Sequence, residues 1–299
     1  MSRSIQADAV MLLVTLLAAS GWIFTKLALE GLPPIAFLAL RFLGSFFLLI
    51  IFCWHTLFRL NQKQWQYALT VGLVQGITMM IWILAINGAD QVSEGAFITS
   101  MLTIIAPIIG WLFFSSHLKT ETLLALPFAL AGMALLALDG NWQFEPAQLL
   151  FLISAFGFAL HINLTNYLGQ NFPSLPFTTI QMGMVGILAS LVSFFTESWP
   201  ESVSSSSWGW LLASIFLATG FRYTLQTWGI KNSTAGSAAL IMTLEPVWTA
   251  MMSLYWLGET MDKQALAGCV LILASLVVSR WQVIKHQTYG GKRRLKPQS

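Results

Sequence analysis

The chain has 299 residues, of which 56% are hydrophobic and only 9% are charged. Soluble domains carry about 25% charged residues, so this composition excludes a soluble globular protein. The net charge of +3 gathers in a C-terminal tail that holds six basic residues and no acid from Arg280 onward. These features predict an all-α integral membrane protein whose tail stays on the cytoplasmic side.

Charge-free runs separated by turn residues divide the chain into ten predicted transmembrane helices. About 20 apolar residues cross a hydrocarbon core of about 30 Å, and each run reaches that length. The longest uncharged run, residues 146–196, is too long for one span and fits two. The predicted spans are 9–29, 33–54, 65–87, 92–114, 121–139, 147–168, 176–196, 208–230, 233–256 and 264–284.

The basic residues between the spans predict the orientation of the chain. With the N-terminus in the cytoplasm, the inside segments hold eleven lysines and arginines. Only Lys26 and Lys263 then lie near the outside segments. The positive-inside rule therefore places both chain ends in the cytoplasm, as an even number of spans requires.

The two halves of the chain resemble each other. Pro107 lies mid-way along the fourth predicted span and Pro246 mid-way along the ninth, 139 residues later, after Gly95-Ala96 and Ala235-Gly236 respectively. Each proline is predicted to break its helix. Five spans per half make the second half enter the membrane from the opposite side, which is an inverted repeat typical of secondary transporters. The predicted units are two five-helix repeats, residues 1–143 and 144–285, and a basic cytoplasmic tail, residues 286–299.

Glu245 is the only charged residue between Lys231 and Glu259, so it lies at mid-membrane. A charge at that depth costs about 2.5–3.5 kcal/mol on insertion scales, and it is expected to be paired, protonated or facing a wet cavity. Arg222, near the middle of the eighth span, is the predicted partner. Such a pair either holds two helices together or marks a transport path, and the pattern leaves both open.

Other side chains at this depth are candidates for a binding site. Gln75 and Trp82 share one face of the third span, while Gly72 and Gly76 favour close helix packing. His161 lies mid-span in the sixth helix, where a packing role and a site role both remain open. The predicted substrate-binding residues are Glu245, Arg222, His161, Tyr223, Trp82, Trp22, Gln75 and Thr103.

Two basic residues lie nearer the outer ends of their spans. Lys26 and Arg41 are expected by default to reach the membrane interface with their long side chains. Arg41 lies roughly 10 Å below that interface by helical rise, so it has the better claim to an internal role.

Three stretches resemble the drug/metabolite transporter superfamily, in its ten-helix EamA-type branch. The stretches are Ser20 to Leu29, Pro33-Pro34 followed by Arg41-Phe42, and Leu244 to Val247 followed by Leu257-Gly258-Glu259. The chain departs from the family pattern in having Ala18-Ala19 where Trp-Gly is usual, and Leu118 to Glu121 where the repeat suggests a Gly-Glu pair.

This resemblance implies a transporter of the inner membrane that exports or exchanges small metabolites, often amino acids, by alternating access. It does not fix the substrate, the driving force or the direction. The expected partners are a small-molecule substrate and the lipid bilayer, with coupled protons and a monomeric or homodimeric state left open.

An integral-membrane enzyme acting on a lipid-linked substrate is the alternative. No HExxH, GxSxG, P-loop or CxxC pattern occurs, and the four histidines have no ligand spacing. The sequence therefore predicts a protein that is not an enzyme and that has no cofactor, metal site or nucleic-acid partner.

Overall fold

The computed structural model describes residues 3–115, 120–137, 145–169, 172–223, 225–226 and 241–279, and within these ranges it is helical without strands. The beginning of the predicted ninth span with Ala235-Gly236, the Leu118-Lys119 pair, the boundary at residue 143 and the basic tail lie outside the described residues. The helices are α1 (Arg3–Ala28), α2 (Pro34–Leu57), α3 (Gln62–Gly88), α4 (Val92–Ser100), α5 (Leu102–Phe114), α6 (Thr120–Ala137), α7 (Pro146–Leu168), α8 (Ser174–Thr196), α9 (Ser205–Ala213), α10 (Glu245–Met252) and α11 (Lys263–Ser279). Two π-helical segments, Ser214–Phe221 and Ser253–Leu257, continue α9 and α10.

Six stretches of the described chain are helical, long and apolar enough to cross a membrane, with α4 and α5 together forming one of them. Two shorter apolar helices, Thr120–Leu135 and Lys263–Val278, accompany them. The outer surface of the bundle is also apolar, since Phe58 is 83% exposed and Phe194 is 80% exposed. Apolar surface of this kind suits lipid and not water. The protein is therefore a multi-pass membrane protein.

Prolines and capping residues set the helix boundaries. Pro34 and Pro146 each lie in the first turn of a helix, where their missing N–H is not needed. Asn61 caps α3 by accepting a hydrogen bond from the backbone N–H of Gln64. The uncharged run 146–196 forms two helices, α7 and α8, as predicted.

Helix α3 packs tightly on α8 through two glycines. A Cβ at Gly72 would lie 2.8 Å from the Cβ of Met184, and one at Gly76 would lie 3.0 Å from Leu188. The predicted role of this glycine pair in close helix packing is confirmed. The contact sets the position of the α3 turn that carries Gln75, which lies between the two glycines.

Two glutamates hold helix starts at one end of the bundle. The carboxylate of Glu197 accepts hydrogen bonds of 2.8 Å from the backbone N–H groups of Ile35 and Ala36 at the start of α2. Glu259 accepts from Val92 and Ser93 at the start of α4, at 2.6 and 3.1 Å. Carboxylates suit helix N-termini because the N–H groups there have no partner within the helix.

These contacts define two ends of the bundle. The Glu259 end carries the segments 29–33, 89–91, 197–204 and 258–262. The Phe172 end, opposite, carries the segments 58–61 and 172–173. The backbone of Gly258 has a φ of +67°, a conformation that favours glycine, and it ends the helical segment just before Glu259.

Candidate substrate cavity

A cavity of about 290 Å³ lies inside the bundle, at the small end of the range typical of ligand sites. Residues of α1, α2, α3, α4, α5 and α7 line it, together with residues of the described stretches that end at 226 and begin at 241. Seven of the eight predicted substrate-binding residues line this cavity, and their binding role stays a prediction. The seven are Trp22, Gln75, Trp82, His161, Arg222, Tyr223 and Glu245.

A helix break positions Glu245 at the cavity. Thr243 and Leu244 form a turn, and α10 begins at Glu245 with Pro246 in its first turn. A proline there costs no hydrogen bond, and the carboxylate benefits from the positive end of the helix dipole. Met242, one turn before Pro246, also lines the cavity. The turn at Thr243 and Leu244 thus lies directly before the place where the ninth span is predicted to break.

The predicted pairing of Glu245 with Arg222 is not found. Although both side chains line the cavity, no ion pair joins them within the described residues. The carboxylate instead accepts a hydrogen bond from the indole N–H of Trp22, with 3.3 Å between the nitrogen and Oε1. The distance is long for a bond to a charged group, so this contact alone leaves the carboxylate open to further partners.

Arg41 reaches the cavity from α2 and is only 7% exposed. Its Nε donates to the hydroxyl of Thr219 at 3.0 Å, and its Nη1 donates to the hydroxyl of Thr25 at 3.1 Å. The π-helical turn orients Thr219, whose hydroxyl donates to the carbonyl of Ser214 five residues earlier, at 2.9 Å. Arg41 is therefore a cavity residue, as its depth along α2 suggested.

Arg222 follows the π-helical segment Ser214–Phe221. Its guanidinium carbon lies 5.1 Å from the centre of the Tyr223 ring, within range of a cation–π contact. Its Nε is buried and has no hydrogen-bond partner in the described part of the chain. Arg222 thus lines the cavity without an ion pair to any residue that the structure describes.

A second pocket lies next to the cavity, on the side of the Phe172 end. Gln75, His161 and Tyr223 line both spaces, and the second pocket, of about 360 Å³, continues to Phe172. Nε2 of His161 lies 2.8 Å from Oε1 of Gln181. This contact supports the packing role for His161, while its position at the junction keeps the site role open.

Aromatic rings separate the cavity from the Glu259 end. The rings of Trp22 and Trp82 meet edge to face with centroids 4.9 Å apart, and Phe151 lies 5.9 Å from Trp22. A Cβ at Gly95 would overlap the ring of Phe151, so this layer is tightly packed. Beyond Phe151 lies an acidic pocket of about 430 Å³, which shares no described lining residue with the cavity. Its acidic lining residues are Asp90, Glu94, Glu145 and Asp262.

Two details of the fourth span differ from the expectation, and the binding role of Thr103 stays a prediction. Thr103 does not line the cavity, whereas Thr99, one turn earlier, does. The helix is interrupted at Met101, and Pro107 lies inside α5. The interruption changes which side chains face inward, and helical spacing alone does not reveal it.

Two other contacts were not predicted. Lys26 does not reach solvent freely, because its Nζ donates to the carbonyls of Ile86 and Ala89 at 3.1 and 2.6 Å. The amide of Asn163 donates to the carbonyl of Ala106 at 2.9 Å and joins α7 to α5. A polar residue in an apolar span signals an internal contact, but its partner depends on which helices are neighbours.

Comparisons with known proteins agree with this architecture. The model of the EamA-like transporter family matches twice, over residues 5–138 and 146–281. An uncharacterized transporter of Archaeoglobus fulgidus is 24% identical over 278 residues, which cover 92% of this chain and 86% of that protein. The uncharacterized transporter YvbV of Bacillus subtilis is 25% identical over 268 residues, covering 85% of each chain.

A solved crystal structure of a protein also aligns with this one, with a TM-score of 0.65 and 15% identity. The alignment covers 94% of this chain and 98% of that chain, and it shows a shared fold. Since the family model accounts for nearly the whole length, the chain belongs to the EamA-like transporter family.

Proposed function

We propose that the protein is a secondary transporter that moves a small metabolite by alternating access, with the cavity around Glu245, Arg41 and Arg222 as its binding site. One observation carries this proposal. A cavity with charged side chains at mid-depth extends toward the Phe172 end and is separated from the Glu259 end by the layer of Trp22, Trp82 and Phe151. Access from one side at a time is what alternating access requires.

We propose further that ten spans form two inverted five-helix repeats. The twofold match to one family model supports this arrangement. The helix contacts support it as well, because α3 packs on α7 while α1 packs on α9, which are equivalent contacts if the halves exchange places. Helices α2 and α8, and likewise α6 and α11, then pair corresponding spans of the two repeats.

The predicted orientation gives the proposed direction. With both chain ends in the cytoplasm of an inner-membrane protein, the Phe172 end faces the cytoplasm. The cavity then takes its substrate from inside the cell, and rocking of one repeat against the other opens the aromatic layer outward. Export is therefore the proposed direction.

Flux measurements test the proposal. Proteoliposomes containing the full chain are loaded with a mixed panel of amino acids and organic acids, and protein-dependent release is followed by mass spectrometry. We expect the wild type to release at least one compound, and Glu245→Gln and Arg222→Ala, each made alone, to abolish that release. Glu201→Gln, a change at an exposed loop residue, is the matched control and is expected to retain flux.

Two results would contradict the proposal. The first is that the wild type releases no compound from the panel. The second is that both cavity variants insert normally and keep full flux. In the second case the charged residues are architectural and the site is elsewhere. Stabilisation by lipids alone in a thermal-shift screen would favour the enzyme acting on a lipid-linked substrate, although the family and its named relatives are transporters.

A further inference from the structure

The charges that line the cavity do not balance. Among the described lining residues, the charged side chains are Arg41, Arg222 and Glu245, which together leave one excess positive charge. An uncompensated charge at membrane depth is costly, and side chains that keep one there usually mark the path of a substrate or ion.

Within the described ranges, neither arginine forms an ion pair with a carboxylate. Arg41 is held by two neutral hydroxyls, those of Thr25 and Thr219, and by no carboxylate. Arg222 contacts the ring of Tyr223 and forms no ion pair with a described residue. A guanidinium prefers a carboxylate or phosphate, which it binds through two parallel hydrogen bonds. The two arginines thus present donor groups suited to an oxyanion.

Unpartnered polar atoms also concentrate at this cavity. Of the eight buried side-chain polar atoms without a hydrogen-bond partner in the described chain, four belong to residues that line it. Buried polar groups in proteins are rarely left unpaired, so such a cluster indicates a site for a hydrogen-bonding ligand. The four atoms are Oε1 of Gln75, Oγ1 of Thr99, Nε of Arg222 and Oε1 of Gln226.

Most of the remaining lining is apolar. Trp22, Met79, Trp82, Leu102 and Phe158 surround the same space. A ligand that fills this site therefore carries an apolar body next to its polar group.

Building on the proposed transport function, we infer that the substrate is a small organic acid with a net charge of −1. Its carboxylate binds Arg41 and Arg222, and its apolar body packs against Trp22 and Trp82. A monocarboxylate neutralises the cavity, whereas a zwitterion leaves the excess positive charge in place. A phosphate monoester carries about −1.5 to −2 charges and overcompensates it.

A matched series of probes separates charge from shape. Phenylacetate, phenylalanine, phenylacetamide and phenethylamine share one aromatic body and are anionic, zwitterionic, neutral and cationic, respectively. Their binding to the full chain in lipid nanodiscs is measured by isothermal titration calorimetry. We expect phenylacetate to bind most tightly, phenylalanine more weakly, and the amide and the amine at least about tenfold more weakly than phenylacetate, which is a factor readily resolved.

Three outcomes overturn the inference. The first is that the amide or the amine binds as tightly as phenylacetate, and the second is that phenylalanine does so. The third is that phenylacetate shows no binding up to about 10 mM. Calorimetry measures binding alone and does not depend on transport. A failure of the anion-site inference can therefore be told apart from a failure of the proposed transport function. Selective binding of phenylacetate without any transport supports the anion site and contradicts the proposed transport function. Flux restricted to zwitterions or amines supports the transport function and contradicts the anion site.

Variants assign the selectivity to the arginines. We expect Arg222→Gln to weaken phenylacetate binding at least about tenfold, the loss of one charged hydrogen-bond donor, and to leave phenylacetamide binding unchanged. Arg59→Gln removes the same charge from an exposed position outside the cavity and is expected to leave both affinities unchanged. Equal loss of acid and amide binding in Arg222→Gln would show a purely structural role and overturn the assignment. Arg41→Gln repeats the test at the second arginine, and the wild-type probe series decides the question even where a variant does not fold.

Discussion

Carboxylates at the Glu259 end and in the cavity differ in what they contact. Glu197 and Glu259 use both oxygens to accept backbone N–H groups from the starts of α2 and α4, at 2.6 to 3.1 Å. Glu245 receives one indole N–H at 3.3 Å. The glutamates at the end are occupied in holding helices together, whereas the glutamate at the centre keeps bonding capacity for a ligand.

The basic residues show the same difference. Lys26, near the Glu259 end, donates to two backbone carbonyls of the α3 terminus. Arg222, in the cavity, has a buried Nε that donates no hydrogen bond to any of the residues described. Charged residues at the Glu259 end therefore hold helices together, whereas those in the cavity keep bonding capacity. Substitutions at the end are expected to change stability, and substitutions in the cavity are expected to change binding and flux.

The largest expected effect on stability comes from Glu259→Ala. The substitution removes the acceptor of two backbone N–H groups and of the Ser93 hydroxyl, and we expect it to lower the free energy of unfolding by about 2–3 kcal/mol. Thermal unfolding followed by circular dichroism in detergent measures the change. Glu201→Ala, at an exposed position, is the control, and an equal Tm for the two variants would show that the cap contributes nothing.

Arg41→Lys is expected to have the next largest effect. Lysine carries the same charge but cannot donate to Thr219 and Thr25 with the geometry of a guanidinium, so one hydroxyl loses its donor. We expect a loss of about 1–2 kcal/mol in stability and weaker phenylacetate binding. Calorimetry and thermal unfolding together check it, and unchanged affinity would place Arg41 outside the binding site.

Trp22→Phe tests the hydrogen bond between the indole of Trp22 and the carboxylate of Glu245. Phenylalanine keeps an aromatic ring near Trp82 but removes the indole N–H that donates to the carboxylate. We expect a loss of about 1 kcal/mol in stability, since the hydrogen bond is long, together with a measurable change in flux. A variant with wild-type stability and wild-type flux would show that this hydrogen bond matters for neither.

The smallest expected change, and one of opposite sign, is that of Arg222→Met. Arg222 lies at membrane depth and has no ion pair with a described residue, so replacing it by an apolar chain of similar length is expected to raise the free energy of unfolding by about 0.5–1 kcal/mol, while substrate flux is lost. Stability and flux falling together would contradict the distinction between end and cavity charges.

Much of the cavity could be predicted from the sequence for a simple reason. Polar residues inside apolar spans usually face the protein interior, which predicts that Gln75, Arg222 and Glu245 lie near the middle of the bundle. Helical spacing added Trp82 to the face of Gln75. The prediction of two helices within residues 146–196 followed from length alone.

Contacts between particular side chains could not be predicted in this way. Whether Glu245 meets Arg222 or Trp22 depends on the arrangement of α1 beside α10, which no local pattern encodes. The inward position of Thr99 in place of Thr103 depends on the interruption at Met101, which no proline or glycine marks. The depth of Arg41 along its span indicated an internal position. Its two threonine partners come from other helices and could not be predicted from that depth.

The acidic pocket at the Glu259 end has a consequence for the return path of a substrate. Asp90, Glu94, Glu145 and Asp262 line it, so anions near this mouth encounter a negative potential, which lowers their local concentration and slows their entry. If the exported molecule is an anion, this repulsion slows its passage through the mouth in both directions, so the pocket affects the rate of exchange and not the direction of net transport. The rate of re-uptake would then rise with ionic strength, because salt screens the repulsion.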